Sequence, residues 1–134
     1  MPSPLRVVVV TPERAVLDEA ADAVVLPMFD GERGILTGHA AFVGQLSPGE
    51  LRISSGSTIK RFYIDSGFVQ VSANTVNVLT AKSVVAEKVT PDMVAKARSE
   101  AEALPSTTPA EREVRTKAIA RAGGMAKVAD GIRN

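Results

Sequence analysis

The feature that most constrains this chain is a change of grammar near Lys88. Before it, short apolar runs are punctuated by turn residues. After it come two segments that open with helix caps. Leu5–Thr11, Ala23–Met28, Leu51–Ser54, Ile59–Asp65, Phe68–Ser72 and Thr75–Ala81 are rich in Val, Ile, Leu and aromatics. Several alternate with the period of a strand: Phe62 and Ile64 fall on one face and Arg61, Tyr63 and Asp65 on the other, and Val76 and Val78 alternate with Asn77 and Leu79. Asp30-Gly31, Pro48-Gly49, Ser55-Gly56, Ser66-Gly67 and Ala73-Asn74 supply turn chemistry between them. Closely spaced short strands without intervening helices predict an antiparallel β-sandwich or flattened barrel.

Beyond Lys88, Thr90-Pro91-Asp92 offers a capping hydroxyl, a proline at the first helical position and an acid in the first turn. That helix is expected to end near Leu104, before Pro105. Thr108-Pro109-Ala110-Glu111 then forms a capping box for a second helix, with Glu111/Arg115 and Glu113/Lys117 as pairs four apart. The connection Pro105–Thr108 is short enough to require an antiparallel hairpin. Gly123-Gly124 predicts a break, since each glycine costs about 1 kcal/mol inside a helix, and the tail beyond is expected to fray. The inward candidates are Val94, Ala97, Ala101, Leu104, Val114, Ala118 and Ala122. Being mostly alanine they bury little apolar area, so a weakly docked hairpin able to take two positions is expected. The class is thus α+β: about ten short strands in residues 1–86, then a helical hairpin in residues 87–134.

Composition narrows the chemistry. A net charge of +1 over 134 residues does not suit a general nucleic-acid or membrane-surface binder. The absence of cysteine excludes disulfides and thiolate sites, and a single histidine excludes multi-histidine metal sites. Met1–Arg6 lacks the pattern of a secretory signal, and the apolar runs are far shorter than the ~20 residues of a membrane span, so a soluble cytoplasmic chain without lipid insertion is expected. No Walker-type phosphate loop or dinucleotide fingerprint is present, and no cofactor or metal is expected. His39, in Thr37-Gly38-His39-Ala40, has no nucleophile elbow beside it and reads as a loop residue bonded to backbone or facing a partner. From Glu113 to Asp130 four basic residues (Arg115, Lys117, Arg121 and Lys127) occur without an acid between them. That run is either a solvated helix face or a basic surface for an acidic partner.

Asp30-Gly31-Glu32-Arg33-Gly34-Ile35-Leu36-Thr37-Gly38-His39-Ala40, continued by Leu46–Leu51, resembles the epsilon subunit of F-type ATP synthase. So do Phe62–Val71, Val76–Leu79, Val10–Arg14 and Val24–Pro27, and together they span nearly the whole chain in the family's order. Thr37 and Ala41 stand where the family often has proline, and Ser66 where it often has a second glycine. The resemblance implies a non-catalytic rotor part at the cytoplasmic side of the bacterial inner membrane, coupling proton translocation to ATP synthesis. Its sandwich would join the gamma shaft to the c-ring. The contact loop would be Asp30 to His39, with Asp30, Gly31, Glu32, Gly34, Gly38 and His39 at the interface, Glu32 toward the ring and His39 toward the shaft. The hairpin would be a modest inhibitor of ATP hydrolysis, meeting the alpha/beta catalytic head through Arg112, Arg115, Lys117 and Arg121. Some bacterial members bind ATP in the hairpin, but Val89-Thr90-Pro91-Asp92-Met93 lacks the second-place acid and the arginine of that motif. The alternative function is a free-standing β-sandwich that binds a small ligand such as a nucleotide, with the hairpin as its lid; a small hydrolase using His39 is the remaining one.

Overall fold

The computed structural model describes residues 4–133, so the ends of the expected domains, Met1–Ser3 and Asn134, lie outside the described residues. Ten strands come first: β1 (Leu5–Val10), β2 (Ala15–Ala21), β3 (Ala23–Met28), β4 (Gly31–Leu36), β5 (Phe42–Leu46), β6 (Gly49–Ser55), β7 (Thr58–Ile64), β8 (Gly67–Ser72), β9 (Thr75–Thr80) and β10 (Ser83–Val85). A 3₁₀ turn (Ala86–Lys88) leads into helices α1 (Pro91–Ala103) and α2 (Pro109–Arg133).

Hydrogen bonding orders the strands β10-β7-β6-β3-β5-β8-β9-β1-β2, with β4 on the other edge of β3. β3 meets β5 only through Met28 and Leu46, so this point is a corner where two layers part. One layer is β10-β7-β6-β3-β4 and the other β5-β8-β9-β1-β2. A second junction forms where the Asp22 amide donates to the Ser54 carbonyl (2.8 Å) and Lys60 of β7 pairs with Glu19 of β2 (2.8 Å). The pairing is antiparallel as expected, apart from β1, which runs parallel to β9.

The alternation read from the sequence is the alternation that packs. Phe62 and Ile64 enter the core between the layers with Val24, Leu26, Ile35, Leu51 and Ile53, while the other layer contributes Val7, Val9, Val69, Val71, Val76 and Val78. Tyr63, between Phe62 and Ile64, points outward and is buried in a second cluster with Ala86, Val89, Val94, Met125, Val128 and Ala129. The hairpin therefore lies as a third layer on the outer face of the β7-bearing sheet.

Both helix starts have the expected chemistry. The Met93 amide donates to Thr90 Oγ1 (3.2 Å), and Thr108 and Glu111 exchange reciprocal side-chain-to-amide bonds of 3.1 and 2.9 Å. Glu113 pairs with Lys117 (3.2 Å), whereas Glu111 turns back to its cap rather than forward to Arg115.

Four expectations are corrected. The helix does not break at Gly123-Gly124: α2 runs unbroken from Pro109 to Arg133. A Cβ on Gly124 would lie 2.8 Å from the Pro48 carbonyl oxygen and 2.9 Å from its carbon, so glycine lets the helix approach the β5–β6 turn. Packing there outweighs helix propensity. Continuity then brings Met125, Val128 and Ala129 onto Tyr63, so the hairpin has a firmer apolar seat than its alanines imply. Val114, expected to face inward, is exposed, whereas Val94, Ala101 and Ala122 are buried as expected. Finally, residues 30–39 are not one contact loop. Gly31–Leu36 form strand β4, hairpinned to β3 with Met28 opposite Gly31 and Ala23 opposite Leu36.

Candidate partner-binding surfaces

Because residues 31–36 are extended, five of the six interface candidates divide between the two ends of an edge strand, which at about 3.3 Å per residue is roughly 17 Å long. Asp30, Gly31 and Glu32 stand at its start, Gly38 and His39 beyond its end, and Gly34 lies between with no neighbour near the position of a Cβ. Gly31 (φ 121°) closes the β3–β4 turn and Gly38 (φ 86°) turns the chain out of the strand, both conformations that favour glycine. The Gly38 amide donates to Asn74 Oδ1 (2.8 Å), which ties this end to the β8–β9 turn.

At the first end, Glu32 accepts from Arg52 (3.0 Å), Arg52 also meets Glu50 (3.1 Å), and Glu50 meets Arg61 (3.4 Å). The Arg52 guanidinium is held more firmly charged, chiefly by its bond to Glu50. These four residues border an open cavity of about 400 Å³ whose far wall includes Lys127 and Gly131 of α2. At the other end, His39 Nδ1 lies 2.8 Å from the Ala40 carbonyl and its amide donates to the Leu36 carbonyl (3.1 Å). Its ring sits 5.3 Å from Phe42, over which the Arg33 guanidinium stacks at 4.7 Å. The backbone-bonded reading of His39 accounts for its surroundings. Arg33, not singled out in the sequence, is a charged residue of the edge strand itself, a composition that discourages unwanted strand addition.

The four hairpin cations do not form one stripe. Arg112 donates to the Ser106 and Thr107 carbonyls (3.4 and 3.1 Å) and stiffens the interhelical turn. Arg115 lines a groove with Arg98 and Glu102 of α1, and Lys117 is paired with Glu113. Arg121 alone of the four reaches the sandwich, placing Nε 3.1 Å from Asp65 Oδ1. Beside that pair the Tyr63 phenol is pushed well above its ordinary pKa, first by burial and then by the Asp65 carboxylate.

One surface was missed. On the outer face of the layer β5-β8-β9-β1, Val43 is 71% exposed, Phe68 58% and Leu79 51%. Cross-strand pairing aligns Gln45, Phe68, Leu79 and Val10 in one row and Val43, Gln70, Asn77 and Val8 in the next. The hairpin covers the outer face of the other layer, so this apolar face is bare. Its signal in the sequence was Phe68 and Leu79 standing on the side of their strands opposite to the buried valines.

Residues 4–86 match the family model described as "ATP synthase, Delta/Epsilon chain, beta-sandwich domain". Over 121 residues the chain is 43% identical to the ATP synthase epsilon chain of Rhodopirellula baltica, covering 90% of this chain and 94% of that one. Against the ATP synthase epsilon chain of Symbiobacterium thermophilum it is 43% identical over 96 residues, 71% and 69% of the two chains. Its structure resembles a chain in the cryo-EM structure of Euglena gracilis mitochondrial ATP synthase, OSCP/F1/c-ring, with TM-score 0.83, 27% identity and coverage of 95% and 82%. The fold is thus that of the delta/epsilon sandwich proteins of ATP synthase. The protein belongs to the ATP synthase epsilon chain family, whose members are accessory subunits of that complex. Among the described residues no helix is long and apolar enough to cross a membrane.

Proposed function

We propose that this chain is a non-catalytic central-stalk subunit that couples ion translocation, of protons by the family resemblance, to ATP synthesis. Its sandwich, residues 1–86, joins the gamma shaft to the c-ring. The observation that carries this reading is the asymmetry of the two outer faces: one is covered by the hairpin, while the other leaves Val43, Phe68 and Leu79 in solvent. The adjoining Phe68, Leu79 and Val10, set among Gln45, Gln70 and Asn77, suit a protein partner, and we assign this face to the shaft, with His39 at its rim beside Phe42. Asp30, Gly31, Glu32 and Gly34 present a polar, narrow edge suited to the short polar loops of the ring. The complex holds the chain peripherally at the cytoplasmic face of a bacterial inner membrane. The hairpin, residues 87–134, acts as a modest brake on ATP hydrolysis by presenting Arg112, Arg115, Lys117 and Arg121 to an acidic surface of the alpha/beta head.

Reconstitution with the shaft subunit, ring and catalytic head tests this reading. Phe68→Glu combined with Leu79→Glu should leave the isolated chain folded and abolish its capture by the shaft. Undiminished capture would move the shaft contact elsewhere. Arg112→Glu combined with Arg115→Glu should relieve inhibition of ATP hydrolysis without loss of capture; inhibition equal to that of the unsubstituted chain would remove the brake from the reading.

A further inference from the structure

We infer that Asp65 is a latch for the hairpin: it holds Arg121 in the docked position and so sets how often α2 leaves the sandwich. The latch itself follows from contacts within this chain; only its effect on hydrolysis rests on the inhibitory role proposed above.

Asp65 is a prepared partner rather than a passing one. It follows β7 directly, and its backbone is fixed on both sides: its amide donates to the Lys82 carbonyl (3.0 Å) and its carbonyl accepts from Thr80 Oγ1 (2.9 Å). Its Oδ1 also accepts from the Ser66 amide (2.7 Å), which fixes the carboxylate's rotamer. The side chain is 14% exposed, so solvent competes weakly for it, while Arg121 reaches it from a position that is 43% exposed. Arg121 lies one helical turn before Met125 and two before Val128 and Ala129, the residues seated on Tyr63. The ion pair and the apolar seat therefore form one stripe of α2 and separate together when the helix lifts. To pair fully with an acidic partner, Arg121 must give up its bond to Asp65. The same side chain is thus spent either on docking or on the partner, and Asp65 decides between them.

Amide hydrogen exchange of the isolated full-length chain tests the latch. Asp65→Asn keeps an oxygen to accept from the Ser66 amide but removes the charge. Arg121→Gln removes the other charge without touching the β7–β8 turn. Each should speed exchange of amides 121–131 by about three- to tenfold, the scale of a partly exposed, charge-assisted bond, while β1 and β9 keep their protection. The double substitution should add little to either single one, because both remove the same interaction. Exchange of α2 unchanged in Asp65→Asn, or additive effects in the double variant, would overturn the latch. In the reconstituted complex, Asp65→Asn should deepen inhibition and Arg121→Gln should weaken it. If exchange responds as expected and hydrolysis does not, the latch stands and the inhibitory role of the hairpin fails.

Discussion

Two adjacent glycines in α2 provide a test that cancels most of what is uncertain about helix energetics. At Gly123 an added Cβ meets no atom within 4 Å. At Gly124 it would meet backbone: Pro48 O at 2.8 Å, Pro48 C at 2.9 Å and Gly49 N at 3.2 Å. Both residues lie in the middle of the same helix, so replacing either with alanine gains about 1 kcal/mol of helix propensity. Only Gly124→Ala also forces a contact, and ordinary contact distances would require α2 to retreat by about half an ångström. The turn cannot yield cheaply, because the Ser47 amide is bonded to the Pro27 carbonyl at 2.9 Å. Overpacking of this kind costs about 1–3 kcal/mol. Gly123→Ala should therefore slow exchange of the α2 amides, whereas Gly124→Ala should speed it or leave it near the original rate. The two variants should differ by about 1–3 kcal/mol, which is a ratio of roughly five to 150 in exchange rate. Equal stabilisation by both alanines would refute the close approach of α2 to the β5–β6 turn, and with it the reason given for the unbroken helix.

Other consequences can be measured on the same chain. Tyr63 is the sole tyrosine and there is no tryptophan, so tyrosinate absorbance reports one site. Its folded pKa is raised above the unfolded value of about 10, so the neutral phenol's stabilisation is complete below pH ~10 and is lost as pH rises toward the folded value. Native protein should stay un-ionised at a pH where the denatured chain titrates; ionisation near pH 10 without loss of α2 protection would contradict its burial. Val128→Ala should loosen the docked hairpin by about 1–3 kcal/mol while leaving the sandwich core intact, seen as faster exchange confined to the helices. Thr108→Ala should cost about 1 kcal/mol at the start of α2, visible as fraying of residues 109–112 in carbon chemical shifts, with no change at residues 121–131.

The parts legible in the sequence were those where one local rule faces no rival. In the run Arg61–Asp65, Phe62 and Ile64 fall on one face and Arg61, Tyr63 and Asp65 on the other, so both the core face and the outward Tyr63 could be read. Thr90 and Thr108 stand beside prolines with an acid in the following turn, and both became caps. Strands β2 and β4 were hidden for the opposite reason. Ala15–Ala21 carries Asp18, Glu19 and three alanines, and Gly31–Leu36 carries two glycines and two charges; neither has the composition of a strand. Their extended form comes from registered pairing with β1 and β3, a long-range cause that local sequence does not record. Gly123-Gly124 failed for a related reason: the sequence shows what glycine costs a helix but not the Pro48 carbonyl that makes it necessary. The interface candidates, Glu32 and the glycines among them, came from the family resemblance of residues 30–39 and not from composition. The partners that position them, Arg52 and Asn74, come from strands and turns distant in sequence.

The hairpin is held unevenly, and this bears on how a brake built from it would work. Its base is fixed three ways: Met125, Val128 and Ala129 on Tyr63, Arg121 on Asp65, and Gly124 against Pro48. Nearer the interhelical turn, Val114 and Ile119 remain exposed, and Arg112 and Lys117 are bonded only within the hairpin's own turn and helix. An acidic partner can therefore reach Arg112 and Lys117 without disturbing the docked hairpin, whereas taking Arg121 fully competes with its bond to Asp65. In the proposed brake, the first encounter and the full commitment of the helix would thus be carried by different cations. Removing charge at Arg112 or Lys117 should slow engagement and make it more sensitive to salt. Removing it at Arg121 should change the final balance instead, because that residue bonds Asp65 in the docked state and, in the proposed brake, would meet the head in the released one.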